Sequence, residues 1–201
     1  MLSSGTAFWY ASRATGVVAL VMLSAVVVLG ITVSRQGRLP GLPRFAGVGL
    51  HRYLSLLGVA FIAVHVLTAV ADSYVSISLA AAIIPFASAY KPLWLGLGAI
   101  SLDLIATIIV TSLLRHRIGH RAWRCVHWLA YLSWPVALAH SIGSSTDLGS
   151  GPLLGLAIAC MLAVGAAATW RLAGAARAIP RARRVPELLA APAEPIPAGH
   201  R

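Results

Sequence analysis

RAWRCVHWLAYLSWPVALAH, residues 121–140, is a mostly apolar stretch with His127 near its start and His140 at its end. A second apolar stretch holds His51 and His65 in a similar arrangement, so that the two pairs have nearly equal spacings. Imidazole is a strong metal ligand and is costly to place in hydrocarbon, so histidines in apolar runs need an explanation. Two matched pairs indicate two layers of ligands stacked along a pair of helices.

The composition is that of a membrane protein. Of 201 residues, 59% are hydrophobic and 10% are charged, with a mean hydropathy of +0.84. Soluble domains carry about 25% charged residues. The net charge of +11 does not indicate a nucleic-acid partner, because the arginines cluster in short connections between apolar runs, where they act as orientation signals. We therefore predict an all-α, polytopic membrane helix bundle that binds no nucleic acid.

Five membrane spans are predicted, in one bundle over residues 1–174, because each apolar run matches the ~30 Å hydrocarbon core of a bilayer. The spans cover residues 8–33, 48–71, 92–114, 123–143 and 152–174. Basic residues gather in the first and third connections and after the fifth span, for example Arg35, Arg38, Arg44, Arg115, Arg117, Arg121, Arg177 and Arg181. The second and fourth connections carry Asp72 and Asp147 and, apart from Lys91, almost no basic residue. The positive-inside rule places the N-terminus outside and the C-terminus in the cytoplasm.

Two segments outside the spans have their own character. Residues 73–90 are too many for a tight turn, and their centre, LAAAIIPF, is apolar but contains Pro85. We predict a short helix or a re-entrant segment here, which lies on the outer surface and covers the part of the bundle beneath it. Residues 175–201 are basic and then rich in Pro and Ala, which predicts a disordered cytoplasmic tail.

The depth of the histidines predicts the chemistry. If both histidine-bearing spans run from inside to outside, His51 and His127 lie near the cytoplasmic face, and His65 and His140 lie further out. A rise of ~1.5 Å per residue puts these layers roughly 20 Å apart. Each layer offers one imidazole from each of two helices, which suits axial ligation of a haem iron from both sides. A single tetrahedral ion is disfavoured, since ligands this far apart cannot converge on it.

The rotational phase of the histidines is less regular than their depth. On an ideal helix His51 and His65 differ by about 40°, but His127 and His140 differ by about 140°. Pro135 lies between the second pair, and we predict that a proline kink or a π-bulge restores a common face. Hydrogen bonds to neighbouring helices are the alternative explanation for any single histidine, and they account poorly for two matched pairs.

A few other residues are candidates for the site. Arg13, inside the outer part of the first span, needs an anionic partner such as a haem propionate, unless it snorkels to the interface. Arg52 and Arg124 flank the inner histidines and are candidates for the inner propionates, although the positive-inside rule explains them equally well. Asp103, an acid well inside a span, suggests a proton relay, an arginine partner or a local hydrogen bond. Close approach of helices or of a flat macrocycle to the second span is expected at its small residues, Gly47, Gly49, Gly58 and Ala63.

The spacings His51-x13-His65 and His127-x12-His140, together with the stretch 121–140, resemble the ferric reductase-like transmembrane domain family. This family includes the membrane part of NADPH oxidases, the ferric reductases, and the haem subunit of the bacterial methionine sulfoxide reductase system. The resemblance covers about residues 11–170, and it implies two b-type haems one above the other, ligated by these four histidines. It also implies electron transfer from the cytoplasmic side outward. Many members have six spans where this chain has five predicted.

A second difference from members of this family indicates which electron donors and acceptors to expect. NADPH oxidases and ferric reductases continue into FAD- and NADPH-binding domains, whereas here only the tail 175–201 follows the fifth span, without a G-x-G-x-x-G pattern. We expect electrons from a separate cytoplasmic flavoprotein, from FMN or FAD on a partner or loosely bound, or from a quinol. The acceptor would be an extracytoplasmic protein, oxygen or a ferric chelate. The chain would then be the haem subunit of an oxidoreductase in the cell (inner or plasma) membrane.

Two other functions remain as alternatives. A metal or proton transporter would use the histidines to line a path, and a membrane anchor subunit would leave them without a role. A transport path needs polar residues between the histidines. The segments YLSLLGVAFIAV and WLAYLSWPVALA between them are instead mostly apolar, which favours a haem pocket.

Overall fold

The computed structural model describes residues 4–34, 43–73, 75, 77–145 and 151–190. The basic residues Arg35 and Arg38, Asp147 and the end of the predicted tail, residues 191–201, lie outside this part of the chain. The regular elements of the described residues are all helices, as predicted. In chain order they are α1 Ser4–Ser34, α2 Arg44–Ala71, α3 Leu79–Ile83, α4 Pro92–Leu113, α5 Arg115–Ile118, α6 His120–His127, α7 Ala130–Ser144 and α8 Pro152–Ala190.

Four of the described helices, α1, α2, α4 and α8, are long and apolar enough to cross a membrane. Their candidate spans are Thr6–Ser34, Phe45–Ala71, Pro92–Leu113 and Pro152–Gly174. The chain is therefore a multi-pass membrane protein. The predicted fourth span, residues 123–143, is not one continuous helix, because a turn at residues 128 and 129 divides it into α6 and α7. The predicted count of five spanning helices is not confirmed.

The break between α6 and α7 is an overwound turn. Over residues 128–132, four backbone N–H groups donate to the carbonyl three residues back, at distances of 2.9–3.3 Å, which is the 3₁₀ pattern. Pro135 follows shortly after and has no N–H to donate to the carbonyl of Tyr131, which weakens the α-helical ladder here. The sequence predicts either a proline kink or a π-bulge between His127 and His140. A π-bulge underwinds a helix, whereas this turn is overwound, so the irregularity is not a π-bulge.

The packing of the helices leaves a space between α2 and α7. Helix α1 packs against α2, α7 and α8, while α4 packs against α7, α6 and α3. Helices α2 and α7 do not pack closely against each other. The buried side chains between α1 and its neighbours are aliphatic, with Val27 and Ile31 of α1 against Val164 of α8. Helix α1 thus packs against both α2 and α7, while α2 and α7 themselves are separated by a gap.

The predicted short helix on the 73–90 segment is present as α3. Ser78 caps its N-terminus with its side-chain oxygen. Phe86 has a φ of 65°, a left-handed conformation that strains a bulky residue, and its ring lies directly against Gly96 of α4, where a Cβ atom would overlap it. Lys91 donates through Nζ to the last carbonyls of α7, at 3.2 and 3.3 Å. These contacts tie the segment to the ends of α4 and α7.

Helix α8 extends further than the sequence predicts. The fifth span was expected to end near Gly174, with disorder from residue 175, but helical backbone continues to Ala190. Ala and Arg make up 9 of the 16 residues from 175 to 190, and their high helix propensities favour helix in spite of Pro180, Pro186 and the absence of an apolar run. The described part of the tail is therefore helical.

Candidate functional site

The structure brings the four histidines together as two pairs, each with one ring from α2. The ring centroids of His51 and His127 are 6.4 Å apart, with planes at 69°. Those of His65 and His140 are 6.3 Å apart, with planes at 71°. All four rings are half-buried. These two pairs are the ones that the depths of the histidines along their helices predict.

The separation within each pair suits one metal ion between two imidazoles. A metal–imidazole bond is about 2.0 Å. Two such bonds, with about 1.2 Å from each bound nitrogen to its ring centre, give about 6.4 Å between centroids. The observed 6.4 and 6.3 Å agree with this value. Among the described residues, no group of three or more His, Cys, Asp and Glu side chains lies close enough together to hold a metal ion.

The outer pair, His65 and His140, is held by two backbone carbonyls. Nδ1 of His65 lies 2.8 Å from the carbonyl oxygen of Ser12 on α1, and Nδ1 of His140 lies 2.8 Å from that of Trp94 on α4. A carbonyl oxygen only accepts hydrogen bonds, so Nδ1 carries the proton and donates in both rings. The Nε2 lone pair of each ring is then free to bind a metal, the usual outer-shell arrangement for a ligating histidine.

A glycine removes the side chain that would obstruct each outer ring. A Cβ atom at Gly16 would lie 2.9 Å from Cε1 and Nδ1 of His65, and one at Gly98 would lie 2.7 Å from the same atoms of His140. Each glycine lies one helical turn after the residue whose carbonyl accepts from the ring. Each outer ring therefore contacts a turn of the neighbouring helix where glycine leaves out the side chain. This helix is α1 for His65 and α4 for His140.

The inner pair, His51 and His127, is held more loosely. A Cβ atom at Gly30 would lie 3.2 Å from Cε1 of His51, and the carbonyl of Val26, one turn earlier, interacts with the same ring. That carbonyl does not reach hydrogen-bond geometry, since Nδ1 of His51 and of His127 are both buried without a partner among the described residues. The ring of Trp123 stacks on His127, with centroids 5.0 Å apart and planes at 29°.

A cavity of about 490 Å³ contains both outer histidines. Its walls come from α1, α2, α3, α4, α7 and α8 and are mostly apolar, which is typical of cofactor pockets. Arg13 and Asp72 also line it. The guanidinium carbon of Arg13 lies 4.5 Å from the centre of the Trp9 ring, a cation–π contact that holds the arginine at this cavity.

The other candidate residues lie elsewhere. Arg52 and Arg124 are exposed beside His51 and His127 in sequence. Asp103 is exposed on a face of α4 that also carries Thr107 and Thr111, and it is not among the described residues that line the outer cavity. Thr107 donates to the backbone carbonyl of Asp103 at 2.8 Å. The structure thus brings Arg13 to the histidines and leaves Asp103 away from them.

The glycines that contact the histidines were not recognised in the sequence. Of the small residues at which close approach of a helix or a macrocycle is expected, Gly58 lies in ordinary contact with Met22 of α1, and nothing lies within 4 Å of a Cβ atom at Gly49. A usable signal existed, since the spacing Gly16-x13-Gly30 on the first span equals the spacing of the two histidines on the second. Gly98 has no such counterpart.

Comparison with known proteins identifies a family. Residues 15–138, more than half of the chain, match the family model described as ferric reductase like transmembrane component. The matched segment includes His51, His65 and His127 and ends shortly before His140. Searches of curated proteins and of solved structures gave no significant match.

Proposed function

The chain belongs to the ferric reductase-like transmembrane family, and on this basis we propose that it carries electrons across a membrane through two b-type haems. The observation that supports the proposal best is the repeated geometry of the histidine pairs, 6.4 Å in one layer and 6.3 Å in the other. Membership of the family makes electron transfer across a membrane the expected activity. The number of haems and their ligands are the proposal.

His51 and His127 would hold the inner haem, and His65 and His140 would hold the outer haem. Bound haem supplies an iron that alternates between the ferric and ferrous states. With one histidine from each of two helices bound to the iron, each site would favour electron transfer over binding of oxygen at the metal. The backbone carbonyls opposite the outer rings fix their tautomer and orientation, and the glycines leave room for the rings to approach α1 and α4.

Arginines are proposed to hold the propionates. Arg13 lines the outer cavity together with both outer histidines, so its charge can pair with a carboxylate there. Arg52 and Arg124 are candidates for the inner propionates, since they neighbour the inner histidines and are exposed at that end. Asp103 keeps at most a polar role outside the haem sites, consistent with its exposed position on α4.

The direction of transfer is proposed from the charge distribution. With the N-terminus outside and residues 175–201 in the cytoplasm, the inner layer faces the cytoplasm. A cytoplasmic flavoprotein, a loosely bound flavin or a quinol then gives electrons to the inner layer. An extracytoplasmic protein or a ferric chelate receives them at the outer layer. The bundle over residues 1–174 would be the haem subunit of an oxidoreductase in the cell membrane.

A dithionite-reduced-minus-oxidised absorption spectrum tests the proposal directly. Protein purified from haem-replete cells, with haem quantified per chain, is expected to contain two low-spin b haems per chain. A matched variant with alanine at the exposed His116 should give the same value. Protein without haem from these cells would overturn the proposal and bring the transporter or anchor functions forward.

The angle between the imidazole planes predicts the electron paramagnetic resonance spectrum. Planes at 69° and 71° are close to perpendicular. Ferric haems with near-perpendicular axial imidazoles give a large, strongly anisotropic g value, because the two iron d-orbitals that interact with the rings are then nearly equal in energy. We expect two such signals from the oxidised protein. Rhombic spectra typical of parallel rings would contradict the ring orientations.

Alanine at Gly98 should weaken the outer haem site selectively. The added Cβ atom would lie 2.7 Å from the His140 ring, so the ring must move away from its partner carbonyl. Loss of an outer-shell contact typically lowers metal affinity about 10-fold to 100-fold. Gly49→Ala is the matched control, since a Cβ atom there meets nothing within 4 Å. Equal haem loss in both variants would show that the effect is not local.

A further inference from the structure

Arg171, near the end of the membrane-spanning part of α8, holds the overwound turn between α6 and α7. Its Nη1 donates to the hydroxyl of Tyr131 at 2.6 Å and to the hydroxyl of Ser34 on α1 at 3.0 Å. Its guanidinium carbon also lies 4.7 Å from the centre of the Trp128 ring and 5.3 Å from that of Tyr131. One side chain therefore joins α8, α1 and two residues of the turn.

The two aromatic rings depend on the geometry of this turn. Side chains three residues apart are eclipsed in a 3₁₀ turn, whereas in an α-helix they are rotated by about 60° from each other. The rings of Trp128 and Tyr131 lie 5.2 Å apart, side by side under the guanidinium. Relaxation of the turn to α-helix would separate the rings, and the cation would lose one of its two contacts. Arg171 therefore stabilises the overwound conformation over the regular one.

The same turn determines where His127 points relative to His140. A 3₁₀ residue turns the chain by about 120° instead of about 100°, so the four residues that donate to the third carbonyl back add about 80°. This recovers a little more than half of the ~140° by which a regular helix would separate His127 from His140. With that rotation both rings face α2, and His127 meets His51 at 6.4 Å. A relaxed turn would swing His127 away from its partner.

We propose that Arg171 is a positioning residue for the inner haem: by clamping Trp128 and Tyr131 in the overwound turn, it directs His127 toward His51. The proposal rests on the proposed function, because it concerns the ligand of the inner haem. Arg171 acts through His127, whose own ring is fixed by few other contacts: its Nδ1 has no partner among the described residues, and Trp123 belongs to the same helix. The outer pair has separate supports on α1 and α4.

The test is Arg171→Gln in the full chain, with haem stoichiometry and electron paramagnetic resonance as readouts. We expect the inner haem to bind about 10-fold to 100-fold more weakly, as with other outer-shell changes. The inner haem that remains should show altered g values or a high-spin signal, because His127 is no longer aligned. The outer haem should keep its wild-type signal, which reports in the same sample that the bundle is folded.

Two further variants separate positioning from charge. Arg171→Lys keeps the charge, but its compact ammonium cannot cover both rings and also bond to Tyr131, so we expect it to restore the inner haem only in part. Arg117→Gln removes an exposed arginine from the same basic region and should leave both haems unchanged.

Three results would overturn the proposal. These are an inner haem with wild-type occupancy and g values in Arg171→Gln, full restoration by lysine, or loss of both haems together. Failure of the proposed function is distinct from all three, because it would appear as a wild-type protein without haem.

Discussion

Alanine at His65 or at His140 will remove the outer haem and leave the inner one in place. An alanine deprives the iron of one axial bond, and the apolar walls of the outer cavity offer few described replacements for an imidazole. The inner histidines lie on other turns of the chain and do not share the carbonyl contacts of Ser12 and Trp94. The haem content is therefore expected to fall from two per chain to one.

Pyridine haemochrome quantification, combined with the low-spin resonance signals, measures this loss. Alanine at His51 or at His127 should give the complementary result, in which the outer signal remains. The control is His116→Ala, since His116 is exposed on α5, outside both pairs. Two haems retained in both His65→Ala and His140→Ala would show that the ligands have been assigned to the wrong residues.

The pairing of the histidines could be predicted from the sequence because it depends on depth. Depth follows from chain position at a fixed rise per residue, and each predicted pair lies at one level on two spans that run in the same direction. The nearly equal spacings within the two spans therefore sufficed to match His51 with His127 and His65 with His140. The short outer helix could also be predicted, because the length and apolar centre of the 73–90 segment leave few other arrangements.

The sequence predicts an irregularity near Pro135, but it does not predict whether the helix is underwound or overwound there. A missing N–H weakens the helix there, but either underwinding or overwinding can follow, and the choice depends on tertiary contacts. Here those contacts come from Arg171, which is far from Tyr131 along the chain. In the sequence Arg171 resembles the other arginines that follow the fifth predicted span, so its position alone indicates only orientation.

The helix surfaces that contact the histidine rings also could not be predicted from the sequence. Gly16 and Gly98 resemble any other glycine of an apolar span, and the second span has glycines of its own. Their role depends on which helices lie next to α2 and α7, and this follows from packing among all the helices. The carbonyl acceptors cannot be read from residue types at all, because every residue has one.

Alanine at His127 will stop electron transfer across the membrane while leaving the outer haem bound. The histidine layers are roughly 20 Å apart by helix rise, so loss of the inner haem leaves a gap across most of the hydrocarbon. Electron tunnelling falls steeply with distance, and the remaining haem reaches only one face. Transfer should therefore fall to the rate of protein-free vesicles.

The measurement uses proteoliposomes with ferricyanide trapped inside and dithionite added outside. Wild-type protein and His116→Ala should reduce the trapped ferricyanide in either orientation, since one haem always faces each compartment. His127→Ala should not, although its outer haem should still give a reduced-minus-oxidised spectrum in detergent. Wild-type rates in His127→Ala would mean that electrons cross by a route that does not need the inner pair. A membrane anchor, a proton path or two isolated haem sites would all leave the trapped ferricyanide oxidised even in the wild type, so reduction by the wild type requires a continuous electron path through the protein.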